Sequence, residues 1–178
     1  MANVSNEESK KFTKECVISA LKSLLKEKTY KDITLTEIAE KAGVSRNAIY
    51  RNFETKDKIL KKYLDEITYD FMLHVENLNI SSHEEYVRIL FYHLCSHKDI
   101  AKIIVDSGLS NILLESFMLM KGLYDVEHSI KDYYENFRIG GMFFIYLTWI
   151  ENGCKESADK LVEIVNKVLA TESIIPYR

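Results

Sequence analysis

The stretch SRNAIYRNFETKDKIL, residues 45–60, combines side chains that are suited to contacts with bases and phosphates. Arg46 can form paired hydrogen bonds to guanine, and Asn47 can do the same to adenine. Charged and hydroxyl groups suited to phosphate follow or flank them, and such contacts hold the register of a complex without reading its sequence. These groups belong to Ser45, Tyr50, Arg51 and Lys56. The pattern predicts a surface that meets a nucleic acid.

Two short helices must present these side chains. Thr34 and Glu37 have the spacing of a capping box, which predicts a helix over about residues 35–41. Gly43 can adopt a positive φ, so it ends that helix and turns the chain. Ser45 is a favourable N-cap for a second short helix that runs to about Asn52. Together these elements describe a helix-turn-helix, whose second helix enters the DNA major groove.

Small and apolar residues are placed to bury the inner faces of the two short helices, and they are Ile38, Ala39, Ala42, Val44 and Ile49. Ala39 is small enough to let the helices approach closely. A different interpretation is a helical hairpin inside an ordinary bundle. Tyr50 could likewise be a packing aromatic instead of a phosphate contact.

The remaining elements also have helical periodicity, and we expect an all-α fold. A first amphipathic helix is predicted over about residues 7–28, and Thr55 is placed to cap a long fourth helix. Its predicted buried stripe consists of Ile59, Leu60, Tyr63, Leu64, Ile67 and Phe71. Further helical segments are Leu109–Leu123, Ile130–Ile150 and a last helix that Ser157 caps after Gly153. A single proline and six glycines argue against a β protein with many turns.

The charge of the chain is unevenly distributed. Residues 1–62 contain 14 basic and 9 acidic side chains, a net charge of +5, whereas the remainder has a net charge of −8. A basic front part on an acidic body predicts that only the front part meets a polyanion. Chance clustering of charges is the alternative.

The first twelve residues lack the apolar core of a secretion signal. The longest apolar run, residues 139–150, is too short to cross a bilayer, which needs about 20 residues. The three cysteines are far apart and odd in number, so a disulfide framework is not expected. We therefore expect a cytoplasmic protein with no membrane partner.

The segment ITLTEIAEKAGVSRNAIYRNFETKDKIL resembles the DNA-binding segment of TetR-family transcriptional regulators. The matching elements are T-x-x-x-I-A-x-x-A-G-V-S, then I-Y-x-x-F, then K-x-x-I/L, within about residues 8–62. The later WIENGCKES is similar to a subgroup that includes regulators of dihydroxyacetone kinase genes. Two residues depart from the family pattern: Asn47 replaces a small residue, and Thr29 replaces a glycine that commonly ends the first helix.

The resemblance implies an N-terminal three-helix helix-turn-helix domain, residues 1–62, joined through a long helix to a helical regulatory and dimerisation domain, residues 63–178. It implies a homodimer through the last two helices, about residues 129–152 and 157–170, bound to a near-palindromic double-stranded DNA operator. Arg46 and Asn47 take the base-contact positions. Phe53 is structural, and the phosphate positions are taken by Thr36, Ser45, Tyr50 and Lys56.

The resemblance also implies a pocket in the C-terminal domain for a small-molecule effector of unknown identity, for which we select His93, Phe117, Tyr146 and Trp149. The run GGMFFIYLTWI is apolar on nearly all sides, which predicts burial in the core and in a dimer interface. A ligand wall is the alternative. His93 and His97 have a spacing that can bind zinc, but no HExxH pattern accompanies it, and partly buried histidines are the simpler interpretation.

The sequence offers no Ser-His-Asp grouping, paired carboxylates or glycine-rich phosphate loop, so we expect neither an enzyme nor a bound cofactor or metal. The predicted function is a ligand-responsive, sequence-specific DNA-binding regulator, and we expect it to be a repressor. The alternative is a helical co-regulator that acts through protein partners instead of DNA.

Overall fold

The computed structural model describes the backbone of residues 2–121 and 130–170, and every regular element in these ranges is helical. The all-α prediction is therefore confirmed. Nine α-helices occur in the described ranges, together with a short 3₁₀ helix at Tyr30–Asp32 between the first two. They are α1 (Ala2–Leu24), α2 (Leu35–Ala42), α3 (Arg46–Asn52), α4 (Lys56–Glu76), α5 (His83–Ser96), α6 (Lys98–Asp106), α7 (Ser110–Lys121), α8 (Ile130–Glu151) and α9 (Ala158–Ala170).

The first helix differs from its predicted range of 7–28 at both ends. It begins at Ala2 and ends at Leu24, where the amides of Glu27 and Lys28 both donate to the Leu24 carbonyl, at 2.9 and 3.0 Å. This tight turn forms although Thr29 replaces the usual glycine. Thr29 itself is extended, with a φ of −67° and a ψ of 149°, so no left-handed residue is needed at that position.

The chain divides into two compact units, Met1–Ile67 and Thr68–Arg178. The division lies within α4, as does the predicted domain boundary at residue 62. In the first unit α1 packs against α2 and α3. Its core consists of Val17, Ile18, Ala20, Leu21, Leu24, Tyr30, Ile33, Ile38, Ala39, Ile49, Phe53, Ile59, Leu60 and Leu64.

In the second unit, α5 packs on α9, and α6 and α7 both pack on α8. The buried aromatic residues of this unit are Phe71, Tyr86, Phe91, Phe117, Phe143, Tyr146 and Trp149. The predicted segment 109–123 corresponds to α7, and its residues 122 and 123 lie outside the described residues, as does residue 129 of the predicted interface. Of the helices described, none is both long and apolar enough to cross a membrane.

Candidate nucleic-acid interface

The start of α2 is fixed by the predicted capping box. The Glu37 amide donates to the Thr34 hydroxyl at 3.2 Å, and the Glu37 carboxylate accepts from the Thr34 amide at 2.9 Å. Lys28 pairs with the same carboxylate. The hydrogen bond from Lys28, followed by those from Thr34, lowers the pKa of Glu37 to about 2. The first turn of α2 is thus held by an ionised carboxylate at neutral pH.

The turn between α2 and α3 depends on Gly43. This residue has a φ of 66°, the left-handed conformation that side-chain-bearing residues rarely adopt, and its amide donates to the Glu40 carbonyl at 3.2 Å. The following amide, of Val44, donates to the Ala39 carbonyl at 3.0 Å. This pairing satisfies carbonyls that the end of a helix leaves open. The tight turn that the sequence predicted is therefore present.

Packing of the inner faces orients α3. Ile38, Ala39 and Ile49 are buried, and Ala42 and Val44 are half-buried, as the apolar pattern predicted. The Ala48 amide donates to the Ser45 hydroxyl at 3.2 Å, which caps α3 at its predicted start. Since Ile49 anchors one side of this seven-residue helix, the opposite side must face solvent.

The solvent-facing side of α3 carries the residues predicted to contact DNA. Arg46, Asn47, Tyr50 and Arg51 are all exposed, and an open concavity is lined by Ser45, Asn47, Tyr50 and Arg51. With 53% of its surface exposed, Tyr50 is not a core residue. Ser45 uses an oxygen lone pair in its cap, so its O–H can still donate to a phosphate. The exposed α3 surface comprises Ser45, Arg46, Asn47, Tyr50 and Arg51.

The positive charges of this surface are available to a partner. The Arg51 Nε donates to the Asn47 carbonyl at 3.3 Å, which leaves its terminal N–H groups for other acceptors. Within residues 2–121 and 130–170, no carboxylate pairs with Arg46 or Arg51. Unpaired guanidinium groups on an exposed helix favour a polyanion, because their charges are not already compensated.

Two further predicted phosphate residues lie at other helix starts. Thr36 lies in the first turn of α2 and is half-buried. Thr55 caps α4 as predicted, since its hydroxyl accepts from the Lys58 amide at 3.2 Å. Lys56 points inward, and its ammonium donates to the carbonyls of Tyr30 and Ile33 at 2.6 and 2.7 Å. No local pattern predicts this contact, because it joins residues more than twenty positions apart.

The four residues selected for an effector pocket have different surroundings. Tyr146 is buried and donates to the Leu94 carbonyl at 3.0 Å, and Trp149 donates to the Glu156 carbonyl at 3.0 Å. These contacts satisfy their polar ends within the protein. Phe117 lines a cavity of the second unit, and the other three selected residues are not among the described residues that line this cavity.

His93 lies between two other rings. Its ring centroid is 4.6 Å from that of Phe71 and 4.5 Å from that of His97. Burial, followed by the neighbouring His97, lowers the pKa of His93 to about 4, so it is neutral at pH 7. Among the residues described, no group of three or more His, Cys, Asp or Glu side chains is placed to hold a metal ion.

Sequence reasoning missed two charged residues at the cavity that Phe117 lines, Glu135 and Arg138. Glu135 is 8% exposed, and one of its oxygens accepts from Arg138 at 2.9 Å. The signal that could have revealed them is a glutamate and an arginine three residues apart, directly before the apolar run of residues 139–150.

Known proteins resemble this chain in two ways, in the sequence of residues 17–63 and in the fold of most of the chain. The family described as "Bacterial regulatory proteins, tetR family" matches residues 17–63. Over 161 residues the chain is 22% identical to the uncharacterized HTH-type transcriptional regulator YxbF of Bacillus subtilis (strain 168). That alignment covers 84% of this chain and 42% of YxbF, so the chain spans about two fifths of the length of this relative.

Two solved structures extend the likeness to most of the chain. FadR of Thermus thermophilus, a TetR-family transcriptional repressor in complex with lauroyl-CoA, has a TM-score of 0.63 and 17% identity, covering 93% of this chain and 98% of FadR. DhaS, a dihydroxyacetone kinase operon activator, has a TM-score of 0.60 and 16% identity, covering 88% of this chain and 93% of DhaS. At these identities the likeness establishes the fold. The matched family consists of regulatory proteins and not of enzymes, in agreement with the sequence prediction.

Proposed function

We propose that this chain is a ligand-responsive transcriptional repressor that acts in the cytoplasm. Its residues 17–63 match the tetR family of bacterial regulatory proteins. In the proposal it binds a near-palindromic operator as a homodimer. The observation that carries the proposal is the exposed α3 surface. Its helix is capped by Ser45 and anchored by Ile49, and it presents arginines with which no carboxylate of the described residues pairs. Such a helix can lie in the major groove with its first turn against the base edges.

The residues of this surface have separate roles in the proposal. Arg46 and Asn47, in the first turn of α3, read base edges through paired hydrogen bonds. Tyr50, Arg51 and the Ser45 hydroxyl contact phosphates, and so do Thr36 and the start of α4 at Lys56. The front part of the chain, with its net charge of +5, supplies the attraction to DNA that does not depend on sequence.

A homodimer is supported by the uncovered aromatic face of α8. Tyr133, Phe137 and Phe144 are 78%, 68% and 64% exposed, and their spacing places them on one side of the helix. Gly141, which is also exposed, lies on the same side and permits close approach of another backbone. Large aromatic side chains on a single continuous face mark a protein interface. A second copy of the chain, with its own α8 and α9, is the proposed cover.

An effector that binds the second unit would regulate DNA binding. It acts by binding one state of the dimer more tightly than another, which shifts the balance between operator-competent and incompetent forms. FadR of Thermus thermophilus is a repressor that was solved with lauroyl-CoA, and DhaS is an operon activator. We propose repression for this chain because FadR, which shares its fold, is a repressor.

A gel-shift experiment with DNA that flanks the gene for this protein tests the proposal. The unmutated protein should retard one fragment at salt concentrations where the variant Arg46→Ala/Asn47→Ala, with unchanged circular dichroism, does not. A folded dimer that retards no fragment even at low salt would refute DNA binding. It would favour the alternative function, a helical co-regulator that acts through protein partners.

A further inference from the structure

A cavity in the second unit is enclosed by side chains of α5, α7 and α8. Its walls are Tyr86, Leu90, Phe117, Met120, Glu135, Arg138, Ile139 and Met142. They surround about 320 Å³ of empty space, open mouth included, but the centre of a water molecule fits in only about 10 Å³ of it. The smaller figure is the one comparable with cavity volumes, and it corresponds to about one water, so a ligand must displace side chains to enter. The cavity is therefore a narrow apolar slot.

Two of the walls can give way to a ligand. Met120 and Met142 are buried at the slot, and methionine is unbranched, with three rotatable bonds that let it adapt to irregular shapes. Phe117 also lines the slot, and its ring centroid is 5.5 Å from that of Phe143 and 5.9 Å from that of Tyr146. The slot thus has one adaptable side and one rigid aromatic side.

A partly exposed charged group, the guanidinium of Arg138, lines the slot. Arg138 donates through one terminal nitrogen to the Glu135 carboxylate at 2.9 Å. Its other terminal nitrogen donates to His83 Nδ1. Burial, followed by the charge of Arg138, lowers the pKa of His83, so this acceptor is a neutral imidazole at pH 7. Arg138 therefore has one charged partner and one neutral partner.

This difference between the two partners of Arg138 determines which charge the polar end of a ligand should have. A carboxylate that replaces the neutral His83 acceptor forms an ion pair with Arg138, which the imidazole cannot do, and Arg138 keeps its bond to Glu135. An ammonium group, in contrast, would have to compete with Arg138 for Glu135, which is nearly buried. The arginine fork also matches the planar geometry of a carboxylate.

We propose that this cavity binds an amphipathic organic anion, with its carboxylate on Arg138 beside His83 and its hydrocarbon part between Met120, Met142 and Phe117. The proposal rests on the regulator function proposed above and identifies the chemical class of its effector. Arg138 sets the charge specificity, and the narrow slot limits the hydrocarbon part to a slender chain.

Three eight-carbon probes test the proposed class of ligand: octanoate, 1-octanol and octylamine. Binding of each is measured by isothermal titration calorimetry on the DNA-free protein. Octanoate should bind at least tenfold more tightly than either of the others. Arg138→Gln should weaken octanoate binding at least tenfold and leave 1-octanol unchanged. Arg88→Gln removes an arginine that pairs with Asp159 at 3.1 Å elsewhere in the same unit, so it should change neither affinity.

A second variant keeps the test valid if Arg138→Gln fails to fold. Met142→Trp fills the slot without altering its charges, and it should reduce binding of octanoate and 1-octanol alike. Tighter binding of octylamine than of octanoate, equal binding of all three probes, or octanoate binding that neither variant alters would overturn the proposal.

The two proposals can fail separately. A protein that binds octanoate through Arg138 but retards no operator fragment has the anion site and is not the proposed regulator. A protein that retards DNA through Arg46 and Asn47 but does not bind octanoate remains a regulator, and the anion site is then refuted.

Discussion

The side-chain ammonium of Lys56 lies 2.6 Å from the carbonyl oxygen of Tyr30, so the first residue of α4 holds the segment that leads into α2. The same ammonium lies 4.3 Å from the centroid of the Tyr30 ring, and the Tyr30 hydroxyl donates to Asp57 at 2.5 Å. A second carbonyl, that of Ile33, accepts from Lys56 at 2.7 Å. This Lys56–Tyr30 contact joins two ends of the helix-turn-helix unit.

Replacing Lys56 by methionine should therefore destabilise the first unit. Lys56→Met keeps the hydrocarbon stem but leaves two backbone carbonyls without their charged donor, and we expect a loss of about 1–3 kcal/mol in the free energy of unfolding, measured with urea. Lys58→Met is the control, because Lys58 pairs with Glu54 where both side chains are mostly exposed. Such a pair contributes about 0–1 kcal/mol. Equal losses in the two variants would contradict the structural role.

The phosphate role of Lys56 gives a separate prediction. An ammonium group has three N–H donors, and the two carbonyls leave one for a phosphate. If that donor contacts DNA, Lys56→Met should lower the slope of log affinity against log salt by about one, measured at a temperature where the variant is folded. An unchanged slope would limit Lys56 to holding the segment before α2.

Arg46 and Arg51 should behave differently in DNA binding. Arg46→Ala removes a proposed base contact, so it should cost about 1–3 kcal/mol on the preferred operator and relax preference at particular base pairs. Arg51→Ala removes a proposed phosphate contact and should weaken binding to all sequences by a similar factor. Competition gel shifts with single-base operator variants measure both. Identical profiles for the two variants would contradict the proposed division of roles.

The sequence predicted those parts of the helix-turn-helix that depend on local chemistry. The Thr34–Glu37 capping box, the positive φ of Gly43 and the Ser45 cap each follow from residues within four positions of one another. The Lys56–Tyr30 contact could not be predicted in this way, because lysine is a common surface residue and its partners are carbonyls that every residue has. Only the packing of α4 beside the segment before α2 selects them.

The cavity shows the same limit in the second unit. Aromatic residues with polar ends suit ligand sites, but Tyr146 and Trp149 both use those ends on backbone carbonyls of their own unit. Periodicity predicts that such residues are buried and does not distinguish a core from a cavity wall. Arg138 reaches the cavity because α8 lies against α7 and beside His83, a relationship that no local pattern contains.

The capping box predicts a pH dependence of stability. Glu37 has a pKa of about 2 in the folded chain, below its ordinary value of 4.5, chiefly because of Lys28. A lowered folded-state pKa means that the stabilisation is complete above pH 4.5 and is lost as the pH falls from about 4.5 to about 2. Glu37→Gln and Lys28→Met should both reduce this loss in the free energy of unfolding. The free energy of unfolding is measured as a function of pH for all three proteins. If it falls as steeply in both variants as in the unmutated chain between pH 4.5 and pH 2, the assignment is contradicted.

The aromatic face of α8 gives a prediction about assembly that a matched pair of variants can decide. Phe137 on α8 and Phe12 on α1 are both 68% exposed in the single chain, so neither contributes much to the core of its own unit. Phe137→Glu should place a charge in the proposed dimer interface and raise the dissociation constant at least tenfold, because an unpaired buried charge is costly. Phe12→Glu should leave dissociation unchanged.

Sedimentation velocity over a concentration series measures both variants, and circular dichroism checks that each keeps its helices. Phe144→Glu, on the same side of α8, should repeat the effect of Phe137→Glu. A dimer that resists both α8 substitutions but dissociates with Phe12→Glu would place the interface on the first unit. The two phenylalanines are equally exposed in the single chain, so the two substitutions should affect the stability of the single chain to a similar extent. A difference in dissociation constant between the two variants therefore shows which phenylalanine is buried in the dimer interface.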